Sequence, residues 1–265
     1  EHEFFILTGS AQATRDFAWI ERHVGDDERA ALVDVTSAYS VLSLMGPNAE
    51  ALLRTLSPDD FSAAALPFAT TRHVDIGYTR VRAARMSYVG GPGYELYVAT
   101  DQCATLYDAL HAAGEPFGLR DAGYYTIDAL RIESGRRAWG AELSPDETPW
   151  EAGLAFAVAI DKSMDFIGRD ALVRQREAGW RKRLVQLTLD DPAAYAWGGE
   201  PVLADGEAVG EITSAGYSRK LGRAVAMAYA RSDRLDDAAA LARARWEIDI
   251  AGTRFAATTM RTGTR

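Results

Sequence analysis

Residues 88–98 read YVGGPGYELYV. Gly90, Gly91 and Gly93 surround Pro92, and a run with the aromatic and β-branched content of a strand follows at once. Glu95 sits near the start of that run. A strand carboxylate can simply face solvent, but Tyr94, Leu96, Tyr97 and Val98 do not mark this strand as exposed. A carboxylate withdrawn from water needs donors. The glycines leave room for a flat ligand to approach the backbone. GGPG is not a nucleotide fingerprint, because it lacks the G-x-G-x-x-G spacing and opens no helix.

Outward from this stretch the chain reads in two parts. Over residues 1–172 strands and helices alternate, an α+β pattern. FFILTG (4–9) is strand-like, and Ser10 is placed to cap a helix with Ala13, Phe17, Ile20 and Val24 on its apolar face. ALVDVT (31–36) and YSVLSLMG (39–46) read as strands. Pro47 stands at the first turn of a helix ending at Leu56. HVDIGYTRVRAARMSYVG (73–90) reads as paired strands turning at Gly77. A helix runs from Asp101 to Gly114 with Cys103, Leu106, Tyr107 and Leu110 on one face, and another covers about 122–134. REAGWRKR (176–183) reads as a linker, so a domain boundary is expected between Ile167 and Arg183. Over 173–265 short β runs recur, joined by turn signals at Asp205-Gly206 and Ala251-Gly252, which predicts a small C-terminal β-barrel. LDDAAALARARW (235–246) reads as a surface helix or loop.

Composition narrows the function classes. Of 265 residues 48% are hydrophobic and 25% charged, an ordinary soluble-globular balance. The net charge of −9 argues against nucleic acid and anionic membrane surfaces as partners. No apolar run is long enough for a membrane span, and no signal peptide is evident. The single cysteine, Cys103, fits a reducing compartment, and a cytoplasmic location is expected. The four histidines (His2, His23, His73, His111) are scattered without cysteine partners, so no metal site is expected. No G-x-S-x-G elbow is present, and Cys103 on an apolar helix face reads as core rather than nucleophile. A pterin or guanine-type ring presents two parallel N–H donors, which Glu95 could accept in a bidentate way.

Three stretches carry a resemblance: RMSYVGGPGYELYV (85–98), AGYYTIDALRIESGRRAWGAEL (122–143) and TPWEAGLAFAVAIDKSMDFIGRDAL (148–172). In this order they resemble the folate-binding module of the aminomethyltransferase (glycine cleavage T-protein) superfamily. They are most similar to the C-terminal half of dimethylglycine and sarcosine dehydrogenases, as is RDFAWIERHV (15–24). The resemblance implies that Glu95 grips the pterin of tetrahydrofolate, with Gly93, Tyr94, Phe68, Leu7, Thr8 and Tyr125 lining the site. It also implies that the family's catalytic aspartate falls upstream of Glu1. Together with the apolar run so close to a non-Met start, this gives the expectation of an N-terminally truncated chain. Gly91 and Ile127 replace a glutamate and an arginine of the T-protein pattern, which favours the dehydrogenase-type branch.

The expected function is therefore the tetrahydrofolate-binding part of an N-methyl amine demethylating enzyme, yielding 5,10-methylenetetrahydrofolate. FAD is expected only in a separate flavin oxidoreductase domain or subunit, since no flavin fingerprint occurs here. The alternatives are a stand-alone folate-dependent methyltransferase or demethylase of an O- or S-methyl substrate, and a non-catalytic folate-binding module.

Overall fold

A computed structural model describes residues 3–233 and 238–262. His2 and residues 235–237 of the predicted surface segment lie outside them. The chain divides into two compact units: Glu1–Ser87 with Gly91–Arg120, and Tyr88–Gly90 with Asp121–Arg265. No helix among the described residues is long and apolar enough to cross a membrane.

In the first unit the expected strand at 4–9 does not form. Phe4, Ile6 and Leu7 are 73%, 57% and 55% exposed, and an apolar run becomes a strand only where a neighbour completes its ladder. Ser10 lies inside a one-turn 3-10 helix (Ser10–Gln12) and caps nothing; Gly9 precedes that turn. Helix α1 follows (Ala13–Glu21). Residues 31–35 also form no strand. The Asp34 carboxylate accepts the Thr36 backbone N–H at 2.8 Å, a local turn that competes with extended pairing.

Four strands then make an antiparallel sheet in the order β1-β4-β3-β2: β1 (Tyr39–Met45), β2 (Thr71–Ile76), β3 (Thr79–Ala84) and β4 (Gly93–Ala99). Helices α2 (Ala49–Leu56) and α3 (Cys103–Gly114) complete the unit. Strand side chains alternate between faces. Tyr94, Leu96 and Val98 of β4 join Val81, Ala83, Leu52, Leu53, Leu106 and Leu110 in one buried cluster. Glu95 and Tyr97 therefore belong to the opposite face.

In the second unit α4 (Tyr124–Glu133) and α5 (Arg169–Ala178) precede six strands. These are β5 (Lys182–Leu189), β6 (Pro201–Ala204), β7 (Glu207–Ser218), β8 (Arg223–Arg231), β9 (Trp246–Ile250) and β10 (Thr253–Thr262). They close as an antiparallel barrel, β10-β5-β8-β7-β6-β9, as the short β runs predicted. A short helix α6 (Ala238–Arg243) buries Leu241 in the barrel core, so the predicted surface segment is anchored from inside. The predicted linker is mostly regular structure: α5 runs to Ala178 and β5 starts at Lys182, leaving 179–181 between them. An exposed polar helix end has the composition of a linker. The compact units change over at Arg120 and Asp121, which differs from the boundary expected between Ile167 and Arg183.

Helix α4 is tied to the barrel. A Cβ on Gly216 of β7 would lie 3.0 Å from Ala129 Cα, so glycine lets α4 approach β7 closely here. Gln186 of β5 donates to the Ile132 and Glu133 carbonyls at 2.5 and 2.9 Å, tying the C-terminal end of α4 to the barrel.

Candidate functional site

The glycine-rich stretch is built for chain geometry. Gly90 and Gly91 have φ of +81° and +72°, a region that disfavours side chains. A Cβ at Gly90 would also lie 2.3 Å from the Ser134 hydroxyl oxygen. Two bonds hold this part of the second unit: Ser134 donates to the Val89 carbonyl at 2.7 Å, and Tyr88 donates to the Arg137 carbonyl at 3.1 Å. Gly93 leaves no room for a ligand, because its missing side chain gives space to Met45 Sδ, 2.2 Å from where a Cβ would stand.

Glu95 is half-buried. Its cross-strand partners are Ser43 on β1 and Ala84 on β3, two small residues that leave a low floor on either side of the carboxylate. Tyr97, two residues on and hence on the same face, donates its hydroxyl to Glu95 Oε2 at 2.5 Å. Burial, and after it the bond to Glu95, hold the Tyr97 phenol above the usual tyrosine range, so it remains a donor at neutral pH. The Tyr97 ring is only 5% exposed, and Phe5 packs edge-on against it at 5.9 Å and against Tyr39 at 5.4 Å. A carboxylate has about four acceptor sites. The Tyr97 hydroxyl uses one, so both oxygens keep capacity for a donor pair while the hydroxyl fixes the carboxylate's orientation.

The remaining expected site residues fare differently. Tyr94 is a core tyrosine: it is fully buried, donates to the Phe61 carbonyl at 2.6 Å and points away from the Glu95 face. Neighbouring positions on a strand cannot share a face, so Gly93-Tyr94-Glu95 does not act as one lining segment. Phe68 is 65% exposed. Its loop is held at Arg85, next to Ala84, by Ala69 N–H donating to Arg85 O at 2.9 Å and Arg85 N–H donating to Thr70 O at 3.0 Å. Leu7 and Thr8 belong to the segment that Phe5 pins to Tyr97, and the Thr8 hydroxyl is engaged by Asp16. Tyr125 is 93% exposed at the start of α4, in the second unit.

The sequence reading missed Tyr97 and Ser43. The period-2 rule applied from Glu95 finds the first, whereas the second needs the register. It also missed Glu142, which is fully buried with 3%-exposed Arg131. Glu142 Oε2 accepts from Arg131 Nη1 at 2.6 Å and Ala138 N–H at 2.9 Å. Oε1 accepts from the Thr213 and Ser214 hydroxyls at 2.7 and 2.5 Å. Consecutive residues converge there because β7 carries a register shift between Ile212 and Ser214, and a bulge breaks strand alternation. Every acceptor this group offers is engaged within the protein. Among the described residues no group of three or more His, Cys, Asp or Glu side chains is arranged to hold a metal ion.

Residues 1–162 match the family described as the GCVT N-terminal domain, and residues 182–263 match the glycine cleavage T-protein C-terminal barrel domain. The chain belongs to the glycine cleavage T-protein family. It is 35% identical to an aminomethyltransferase of Shouchella clausii over 99% of this chain and 69% of that protein. It is 34% identical to the mitochondrial pyruvate dehydrogenase phosphatase regulatory subunit of Mus musculus, over 97% of this chain and 31% of the relative. With the mitochondrial dimethylglycine dehydrogenase of the same species it shares 37% identity over 86% of this chain and 26% of the relative. The chain thus spans about a quarter to a third of these two mouse relatives. The crystal structure of aminomethyltransferase T from Bartonella henselae shares the fold, with a TM-score of 0.77 at 22% identity, covering 95% of this chain and 66% of that one.

Proposed function

We propose that this chain is the tetrahydrofolate-binding part of an N-methyl amine demethylating enzyme of the dimethylglycine or sarcosine type. The observation that carries the reading is Glu95: a half-buried carboxylate on the sheet face opposite the core, oriented by Tyr97 and flanked by Ser43 and Ala84. The two acceptor oxygens of that carboxylate suit the parallel N–H donor pair of a pterin edge. When bound, tetrahydrofolate supplies the amine that takes up the one-carbon unit, giving 5,10-methylenetetrahydrofolate. Glu95 orients the pterin, Tyr97 holds Glu95, and the exposed Leu7 and Phe68 offer apolar contact beside them; this is catalysis by positioning. The likeness to dimethylglycine dehydrogenase supports a flavin domain or subunit as the source of the one-carbon unit. The cytoplasmic placement rests on the single cysteine, whereas the two mouse relatives are named as mitochondrial.

Calorimetric titration with tetrahydrofolate tests the reading. Glu95→Ala is expected to weaken binding by about 10- to 150-fold, the value of charge-assisted hydrogen bonds worth about 1.5–3 kcal/mol. Unchanged affinity would overturn it. The likeness to a phosphatase regulatory subunit favours a second reading, a folate-binding module without turnover. One-carbon transfer to tetrahydrofolate by the protein would exclude that reading.

A further inference from the structure

Four arginines lie on or next to the β2–β3 hairpin, and three have oxygen partners. Arg80 pairs with Asp75 at 2.9 Å. Arg72 donates to the Asp60 carbonyl at 2.7 Å, and Arg85 to the Leu66 carbonyl at 3.3 Å. Arg82 has no acidic partner among the described residues, and its Nε is buried without an acceptor. Its guanidinium lies over the Phe5 ring, 4.7 Å from the centroid. Arg82 stands directly across from Tyr97, with His73 on its other side. It is therefore a diagonal neighbour of Glu95 on the same face, about 7–8 Å away along the sheet.

We propose that Arg82 receives the glutamyl carboxylate of the folate, an inference that rests on the reading of Glu95 given above. A reduced folate is a polar molecule with two unlike ends: a donor-rich pterin and, beyond an aromatic ring, an anionic tail. The outer sheet face has the same order, with Glu95 to accept, the Tyr97 and Phe5 rings between, and Arg82 to donate. Glu95 repels the tail and Arg82 attracts it, so the pair fixes the ligand's direction. A planar guanidinium presents its N–H groups as a fork that matches a carboxylate, and stacking on Phe5 holds that fork in place.

The test is titration of the chain with tetrahydrofolate and with tetrahydropteroate, which lacks the glutamate. At low salt the wild type is expected to bind tetrahydrofolate about tenfold more tightly, a preference that fades in molar salt. Arg82→Met should erase the preference by weakening tetrahydrofolate alone, and Arg82→Lys should restore part of it. A wild type that binds both ligands equally would overturn the assignment while leaving the folate reading intact, as would Arg82→Met weakening both ligands to the same extent. A wild type that binds neither would overturn the folate reading and this inference with it.

Discussion

Glu95 in the sheet unit and Glu142 in the barrel unit are both withdrawn from bulk water by β-structure, and they are used in opposite ways. Glu142 is fully buried and takes two donors on each oxygen, from Arg131, Ala138, Thr213 and Ser214. Glu95 is half-buried and takes one hydroxyl. A buried charge is tolerated only when its lone pairs are satisfied. Glu142 meets that condition inside the protein, whereas Glu95 keeps acceptor sites facing outward. The same side chain thus serves as a strut where its capacity is spent and as a binding group where it is spare.

The largest effect is expected from breaking the strut. Glu142→Ala leaves Arg131 buried with only Asp128 as an acid and strands the Ser214 hydroxyl, while the Thr213 hydroxyl keeps the Met227 carbonyl. It should cost about 3–5 kcal/mol, read as a lower urea midpoint. A loss under about 1 kcal/mol would show that the network relaxes and that the contrast with Glu95 is overdrawn.

Removing the Tyr97 hydroxyl sharpens the other side. Tyr97→Phe keeps the ring against Phe5 and should weaken tetrahydrofolate by about fivefold to tenfold, roughly 1 kcal/mol, with little change in unfolding. If the Glu95→Ala background shows the same further loss, Tyr97 does not act through Glu95.

A third carboxylate lies between the two cases. Burial pushes Glu147 up, but the Lys182 ammonium at 2.5 Å and the Ser144 hydroxyl outweigh it and hold the carboxyl below its usual range. A lowered folded value means that this stabilisation is present above the ordinary carboxylate range and lost as pH falls through the lowered value. Glu147→Gln should therefore cost about 1 kcal/mol near neutral pH and almost nothing in strong acid, compared by urea midpoints. An equal loss at both would assign Glu147 a purely steric role.

The division of the chain is open to a similar contrast. We keep a domain boundary between Ile167 and Arg183 as a proposal, against the changeover of the compact units at Arg120 and Asp121. Trypsin should cut first near Arg181. First cleavage after Arg120 would place the boundary there instead.

Local patterns were the legible part of the sequence. Asp205-Gly206 and Ala251-Gly252 mark hairpins because both residues of each pair adopt positive φ, +53° and +85°, +52° and +85°, the geometry tight hairpins need. Periodicity likewise found β1, the β2–β3 hairpin, α3 and the barrel. It failed at 4–9 and 31–35, where composition is strand-like but no neighbouring strand completes the ladder. Glu95 could be singled out because a carboxylate among apolar strand neighbours breaks a local rule. Glu142 could not, since its donors come from residues 131, 138, 213 and 214, and two of them converge only through a bulge. Tyr94 was misassigned because adjacency in sequence was read as adjacency on a face.

Thermal unfolding of the wild type and of Glu95→Ala, each with and without tetrahydrofolate, tests the central claim most directly. At a hundred times the dissociation constant a ligand stabilises by about 2.7 kcal/mol, which should raise the wild-type midpoint by roughly 5–10 °C. Without ligand, Glu95→Ala should unfold at the wild-type temperature or slightly above it, and at the same ligand concentration its rise should fall to about half the wild-type value or less. A ligand-free variant that unfolds well below the wild type, or one that keeps the full ligand-induced rise, would show that Glu95 serves the fold rather than the folate.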